Sequence, residues 1–268
     1  MDTERSGALT WVMGAVVVAA VFCQVFEAAR PQIEHGSEAA TIQTARTMLQ
    51  RGDWLTPRNE YGWPQLNRSV LTFWMSAAPM GLFGESLFHA RLGAIALTAG
   101  TLAFIYLLAG ALRLGRTAGG LAVIVYATTR TVYSAGHTAG EETVITFFVT
   151  AALYFFARLI FIGGEGEWRD AALAYAATAG ALLAAGLGGL PCVVLPLAVF
   201  LLIPRRLAEP HRFLFWPVGA VVLAALALPW YGLMIAWPRE ALGQARFPAA
   251  EALDLLATLG DGARSLAV

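Results

Sequence analysis

The sequence predicts an all-α polytopic membrane protein, and three observations carry that prediction. Apolar residues make up 58% of the 268 positions and charged residues only 13%, far from the balance of a soluble domain. Apolar runs of about 17 to 25 residues, the length a helix needs to cross the bilayer hydrocarbon, recur along the chain. All 18 basic residues are arginine, and eight of them fall on the same side of the alternating runs, the pattern of the positive-inside rule. The net charge of zero points to no nucleic-acid partner.

The elements follow in order. Residues 1–29 form a first span, with its apolar run from Ala8 to Phe26. That run is long for a signal-peptide core and no small-x-small cleavage site follows, so it is expected to be retained. Residues 30–89 form an extracytoplasmic loop. From Glu38 onward, Ile42, Ala45, Met48 and Leu49 recur at helical spacing while Gln43, Arg46 and Gln50 take the other side, which predicts an amphipathic helix on the membrane face. Ser37 is placed to cap its N-terminus, Gly52-Asp53 to end it, and Trp54 to anchor at the interface. Ser69 to Gly84 is short and carries Pro79, so it reads as a second helix that lies on the face without crossing.

Residues 90–237 form the bundle. Its spans are Leu92 to Leu112, Thr117 to Gly136, and Thr143 to Gly164 with Arg158 snorkelling near one end. The uncharged stretch Ala171 to Pro204 suits two helices broken at "GLGGLP", and Phe213 to Trp237 supplies the last. With the first run this makes seven spans. Arg5, Arg113, Arg116, Arg158, Arg169, Arg205, Arg206 and Arg212 then fall on one side, which the rule makes cytoplasmic. Residues 238–268 become an outer tail. Arg30, Arg46, Arg51, Arg58 and Arg68 break the rule on the first loop, which implies a task other than topology. Cys23 and Cys192 lie inside apolar runs and are expected as buried packing residues, not as a disulfide or metal pair.

The blocks "SEAATIQTARTMLQRGDWLTPR", "NRSVLTFW", "LFGESLFHARLGAIALTAG", "GHTAGEETVITFF" and "LPWYGLMIA" resemble, in order and spacing, the dolichyl-phosphate-mannose protein mannosyltransferase superfamily. That superfamily includes the aminoarabinose transferases of lipid A and related GT-C glycosyltransferases. The resemblance implies a GT-C-like transmembrane helix bundle with juxtamembrane helices on the first outer loop, in a bacterial inner membrane. It implies an inverting sugar transfer from a polyprenyl-phosphate donor to a lipid, glycan or protein acceptor at the outer face. Such enzymes are about twice as long, so the chain is expected to be the amino-terminal half, with a truncated tail and room for a second-half subunit as partner.

Such a transfer needs a carboxylate to take the acceptor hydroxyl's proton and cations to stabilise the departing lipid phosphate. The family's Asp-Glu at the start of the loop helix reads Ser37-Glu38 here, so the base falls to Glu38, with Glu142 as the second candidate. The family's Lys-Pro-Pro-Leu block reads Arg68-Ser69-Val70-Leu71, and the resemblance makes Arg68 and Arg58 the donor-phosphate ligands. Ser37, Glu141, His137 and Arg130 are the supporting candidates. Arg130 stands out as a charge inside an expected span, where an acid or a phosphate must be near it.

Each has a plainer reading. Glu141 and Glu142 suit a helix start by charge alone, His137 suits a wet interface, and Arg58 and Arg68 suit lipid headgroups. No metal-ligating set is read from the sequence, and the cofactor is unknown, although the chemistry tolerates a divalent cation. The second function class is a catalytically degenerate membrane module that binds a lipid carrier or a partner subunit. A small-solute transporter is disfavoured, because the spans carry no inverted repeat.

Overall fold

The protein is described from a computed structural model, which covers residues 2–33, 36–65, 70–162, 167–201 and 216–236. Arg68, Arg205, Arg206, Arg212 and the tail 238–268 lie outside the described residues. Ten α-helices are present among those described: α1 (Asp2–Ala28), α2 (Gly36–Arg51), α3 (Val70–Phe83), α4 (Leu87–Ala111), α5 (Arg116–Thr128), α6 (Arg130–Gly136), α7 (Glu141–Phe161), α8 (Glu167–Ala185), α9 (Gly189–Leu201) and α10 (Trp216–Ala236). A 3-10 turn, Gly186–Gly188, joins α8 to α9. The β-pairing described is one isolated bridge, Arg58 to Pro64.

Two helices, α4 and α7, are long and apolar enough to cross a membrane, and shorter apolar stretches lie in α1 (Gly14–Ala28), α3, α9 (Gly189–Val199) and α10 (Pro217–Gly232). The outward surface suits lipid better than water: Val18, Phe22, Val125, Leu195, Val221 and Leu228 are all mostly exposed. The interior is built from small residues. Ala151, Ala152, Ala171, Ala174, Ala177 and Ala181 line the seam between α7 and α8, with Phe156 and Val193 beside them. Small side chains let helix backbones approach closely where lipid supplies no hydrophobic drive between helices.

At one end of the bundle α2 and α3 form a layer across the helix ends. Ile42, Ala45, Ala77 and Met80 pack there on Ala90 at the start of α4 and on Ala139 just before α7. Met48, Val70 and Phe73 pack on Trp230 near the end of α10. The face of α2 expected to be apolar is the buried one, widened by Thr41, Thr44 and Thr47. Two of these threonines return their hydroxyls to the preceding turn's carbonyls, Thr41 to Ser37 and Thr47 to Gln43.

Five expectations need correction. Ser37 lies inside the first turn of α2, which begins at Gly36, and so does not cap it. Thr117 to Gly136 is two helices, because the backbone turns extended at Thr129 (φ −68°, ψ 128°). There the Thr128 and Thr129 hydroxyls bond to the Ile124 and Val125 carbonyls at 2.8 and 2.7 Å, a side-chain bond that weakens helix continuation. Arg130 therefore starts α6 and is exposed, not set deep in a span. Pro191, expected in the turn, sits in the first turn of α9, where its missing N–H costs little. Cys23 and Cys192 are exposed thiols on the outer surface of their helices, not buried packing residues.

Candidate functional site

The most buried charge in the described structure is Arg91, near the start of α4. Its guanidinium makes a bidentate pair with Glu38, Nε to Oε1 at 2.7 Å and Nη2 to Oε2 at 3.0 Å. The two side chains are 1% and 2% exposed. Arg91 also donates to the backbone carbonyls of Ala28 (3.2 Å), an acceptor that the end of α1 leaves unpaired, and of Arg30 (2.9 Å) and Gln32 (2.6 Å) in the segment after it. Glu38 Oε1 accepts a further bond from the Ala139 N–H at 3.2 Å. Burying two charges costs several kcal/mol each unless the geometry is good and the remaining donors and acceptors are used; here they are used. One ion pair thus joins the end of α1, the first turn of α2, the second turn of α4 and the approach to α7.

Beside this clamp lies a cleft of about 360 Å³, lined among others by Ser37, Arg130, Ser134, Thr138, Gly140 and Glu142, with Glu38 at its border. Its walls come from the starts of α2, α6 and α7. Glu142 is exposed and stands in the first turn of α7, where the helix dipole favours an anion. Its carboxylate folds back over Gly140. Thr143 donates to the Ala135 carbonyl at 3.0 Å, and Thr138 to the Ser134 carbonyl at 3.2 Å. These bonds pin the turn that carries Glu142 against α6.

The α6 side is held from behind. His137 is buried with Nδ1 2.7 Å from the Tyr133 carbonyl, its ring 5.3 Å from that of Tyr133. Gln24 packs so tightly on Gly136 that a Cβ there would meet its amide at 2.7 Å.

Of the residues singled out by sequence, Ser37, Glu38, Arg130 and Glu142 come together at the cleft, and Glu141 neighbours it on α7. Glu38, the residue expected first as a base, is engaged through both oxygens. His137 lies behind α6 and is not among the described lining residues. Arg58 stands elsewhere, in the turn after α2: it donates to the Gly62 carbonyl at 3.1 Å and comes within 3.8 Å of Asp53. Arg91 is the residue beside the cleft that sequence reasoning missed. Its signal was an arginine at the mouth of an apolar run, a place where a charge needs a partner.

Comparison with known proteins agrees with this architecture. A family model described as dolichyl-phosphate-mannose-protein mannosyltransferase matches residues 67–230. Over 194 residues the chain is 27% identical to the undecaprenyl phosphate-alpha-4-amino-4-deoxy-L-arabinose arabinosyl transferase of Yersinia enterocolitica, covering 72% of this chain and 34% of that protein. The transferase of the same name from Yersinia pestis is 28% identical over 198 residues, with the same coverage. The chain thus spans about a third of the length of the curated relatives it matches. Among solved structures, ArnT from Cupriavidus metallidurans in the apo state superposes with a TM-score of 0.68 at 22% identity, over 85% of this chain and 42% of ArnT. The same protein bound to undecaprenyl phosphate gives 0.68 at 20% identity, over 87% and 42%. At these identities the likeness establishes the fold: an all-α membrane bundle of the GT-C kind.

Proposed function

Because the chain belongs to the dolichyl-phosphate-mannose-protein mannosyltransferase family, we propose that it is the donor-binding part of a multi-pass inner-membrane glycosyltransferase that moves a sugar from a polyprenyl phosphate to an acceptor hydroxyl at the outer face. The observation that carries the proposal is the cleft in which Glu142 and Arg130 meet Ser37. A carboxylate and a guanidinium at one opening are the two groups the reaction needs. In the step, the acceptor oxygen bonds to the anomeric carbon and inverts it, while the bond from that carbon to the phosphate oxygen breaks with its electron pair. Glu142 takes the hydroxyl proton, and Arg130 stabilises the departing polyprenyl phosphate. Arg68, in the segment that leads into α3, remains assigned to the same phosphate. Arg58, turned onto its own loop, has the weaker claim. The transferases of Yersinia and the undecaprenyl-phosphate complex of ArnT support the donor class.

The test is sugar transfer in membranes carrying the whole assembly. Glu142→Gln is expected to lower turnover by about 10²- to 10⁴-fold, the usual worth of a general base, while the protein still inserts and still binds undecaprenyl phosphate. Full turnover in Glu142→Gln excludes Glu142 as the base. The second reading, a lapsed enzyme that keeps only lipid-carrier binding, is favoured by the neutral Ser37 at the cleft and the engagement of Glu38 with Arg91. Ser37→Asp separates the two: transfer that appears only in that variant establishes the lapsed enzyme.

A further inference from the structure

A second cleft, of about 520 Å³, opens on the other side of the first turn of α2, between that helix and the loop after it. The first cleft is lined by Ser37 and Glu38, this one by Ala39 and Ala40, so consecutive residues of α2 reach the two clefts. We propose that this second cleft, lined by Gln43, Gln65 and Tyr61, binds an uncharged saccharide and holds it next to the Glu142 cleft as the glycan portion of the acceptor. The role as acceptor rests on the transfer reading above; the saccharide site does not.

Three observations point to a sugar. First, Tyr61 lines the cleft with its side chain 77% exposed, an aromatic ring offered to solvent where stacking on the C–H face of a pyranose would cover it. An amphipathic ring suits a ligand that is apolar on its faces and polar at its rim. Second, the remaining polar lining includes the amides of Gln43, Asn59 and Gln65. Amides both donate and accept, as vicinal hydroxyls require. Third, the described lining residues carry no net positive charge. Its cation, Arg46, is ion-paired to Glu85 at 3.0 Å, and Glu60 adds a carboxylate. A phosphate or an anionic headgroup is therefore poorly served here.

The loop is preorganised for such a task. Asn59 Oδ1 accepts from the N–H groups of Tyr61 (3.1 Å) and Trp63 (2.9 Å), and the Asn59 N–H donates to the Trp63 carbonyl at 2.9 Å. Gln65 closes the turn through a 2.7 Å bond from its N–H to the Pro57 carbonyl. Gly62 adopts φ +83°, a conformation that favours glycine. These bonds hold the loop in shape before any ligand arrives, which lowers the ordering cost of binding.

The experiment uses the full chain in detergent on an array of neutral di- to tetrasaccharides of glucose, mannose and N-acetylglucosamine, with undecaprenyl phosphate binding measured in parallel. At least one saccharide is expected to bind. Tyr61→Ala and Gln43→Ala should each weaken it by roughly tenfold while undecaprenyl phosphate binding stays as in the wild type. Failure of every saccharide to bind overturns the inference. So does equal binding by Tyr61→Ala, or binding confined to phosphorylated sugars or anionic lipid vesicles. Saccharide binding that depends on Tyr61 in a protein that ignores undecaprenyl phosphate upholds this site and counts against the donor reading alone.

Discussion

At the scale of the residue, the identity of the buried anion decides how any mutation of this site must be read. Glu38 and Glu142 are both carboxylates at helix starts, yet one is 2% exposed and paired through both oxygens, while the other is exposed at the cleft. Removing one partner of a buried pair leaves the other charge uncompensated and costs about 3 to 5 kcal/mol. We expect Glu38→Ala to destabilise the protein by that order in thermal or denaturant unfolding in detergent. Glu142→Ala should stay within about 0.5 kcal/mol, as exposed substitutions usually do. Equal stability of the two variants would remove the clamp from the account. Loss of sugar transfer in a Glu38 variant is accordingly weak evidence for a base, because the cleft itself is expected to come apart.

At the scale of the element, close helix crossings are what put these residues in reach of one another. A Cβ on Gly93 would collide with the Met75 carbonyl, so α3 and α4 touch backbone to backbone two residues beyond Arg91. Gly110, farther along the same helix, has nothing within 4 Å of its Cβ position. Gly93→Ala is expected to cost about 1 to 3 kcal/mol through overpacking. Gly110→Ala should be neutral, or stabilising by up to about 1 kcal/mol through helix propensity. Melting temperatures of the two variants check the pair, and a Gly93→Ala protein as stable as Gly110→Ala would contradict the crossing. The α5/α6 break belongs to this scale too. An apolar run is read by sequence as one helix, whereas two threonines and an arginine end it at Thr129 and carry Arg130 to the cleft.

At the scale of the whole molecule, α2, α3, the starts of α4 and α7 and the end of α10 gather at one end, joined by the clusters around Ile42 and Met48. At the other end Arg158 of α7 pairs with Asp170 of α8 at 3.0 Å. We expect the first end to face outward, as the arginine pattern requires. With Cys23→Ala and Cys192→Ala as background, a membrane-impermeant maleimide should label Glu60→Cys in intact cells and Leu114→Cys only after permeabilisation. The reverse pattern would turn the protein over and place both clefts in the cytoplasm.

Composition and periodicity were enough to establish what depends on a residue's own chemistry and its near neighbours. The helical, lipid-facing character, the buried face of α2 and the break between α8 and α9 were all legible, because each follows from local pattern. The order of the motif blocks likewise pointed to the family that the comparison with known proteins bears out. The free and the engaged carboxylate could not be told apart that way. Glu38 is taken by an arginine 53 residues on and by a backbone N–H 101 residues on, and two acids at helix starts look alike until their distant partners are known. Tertiary packing alone made that choice, since a buried charge persists only where other elements bring enough donors to replace water.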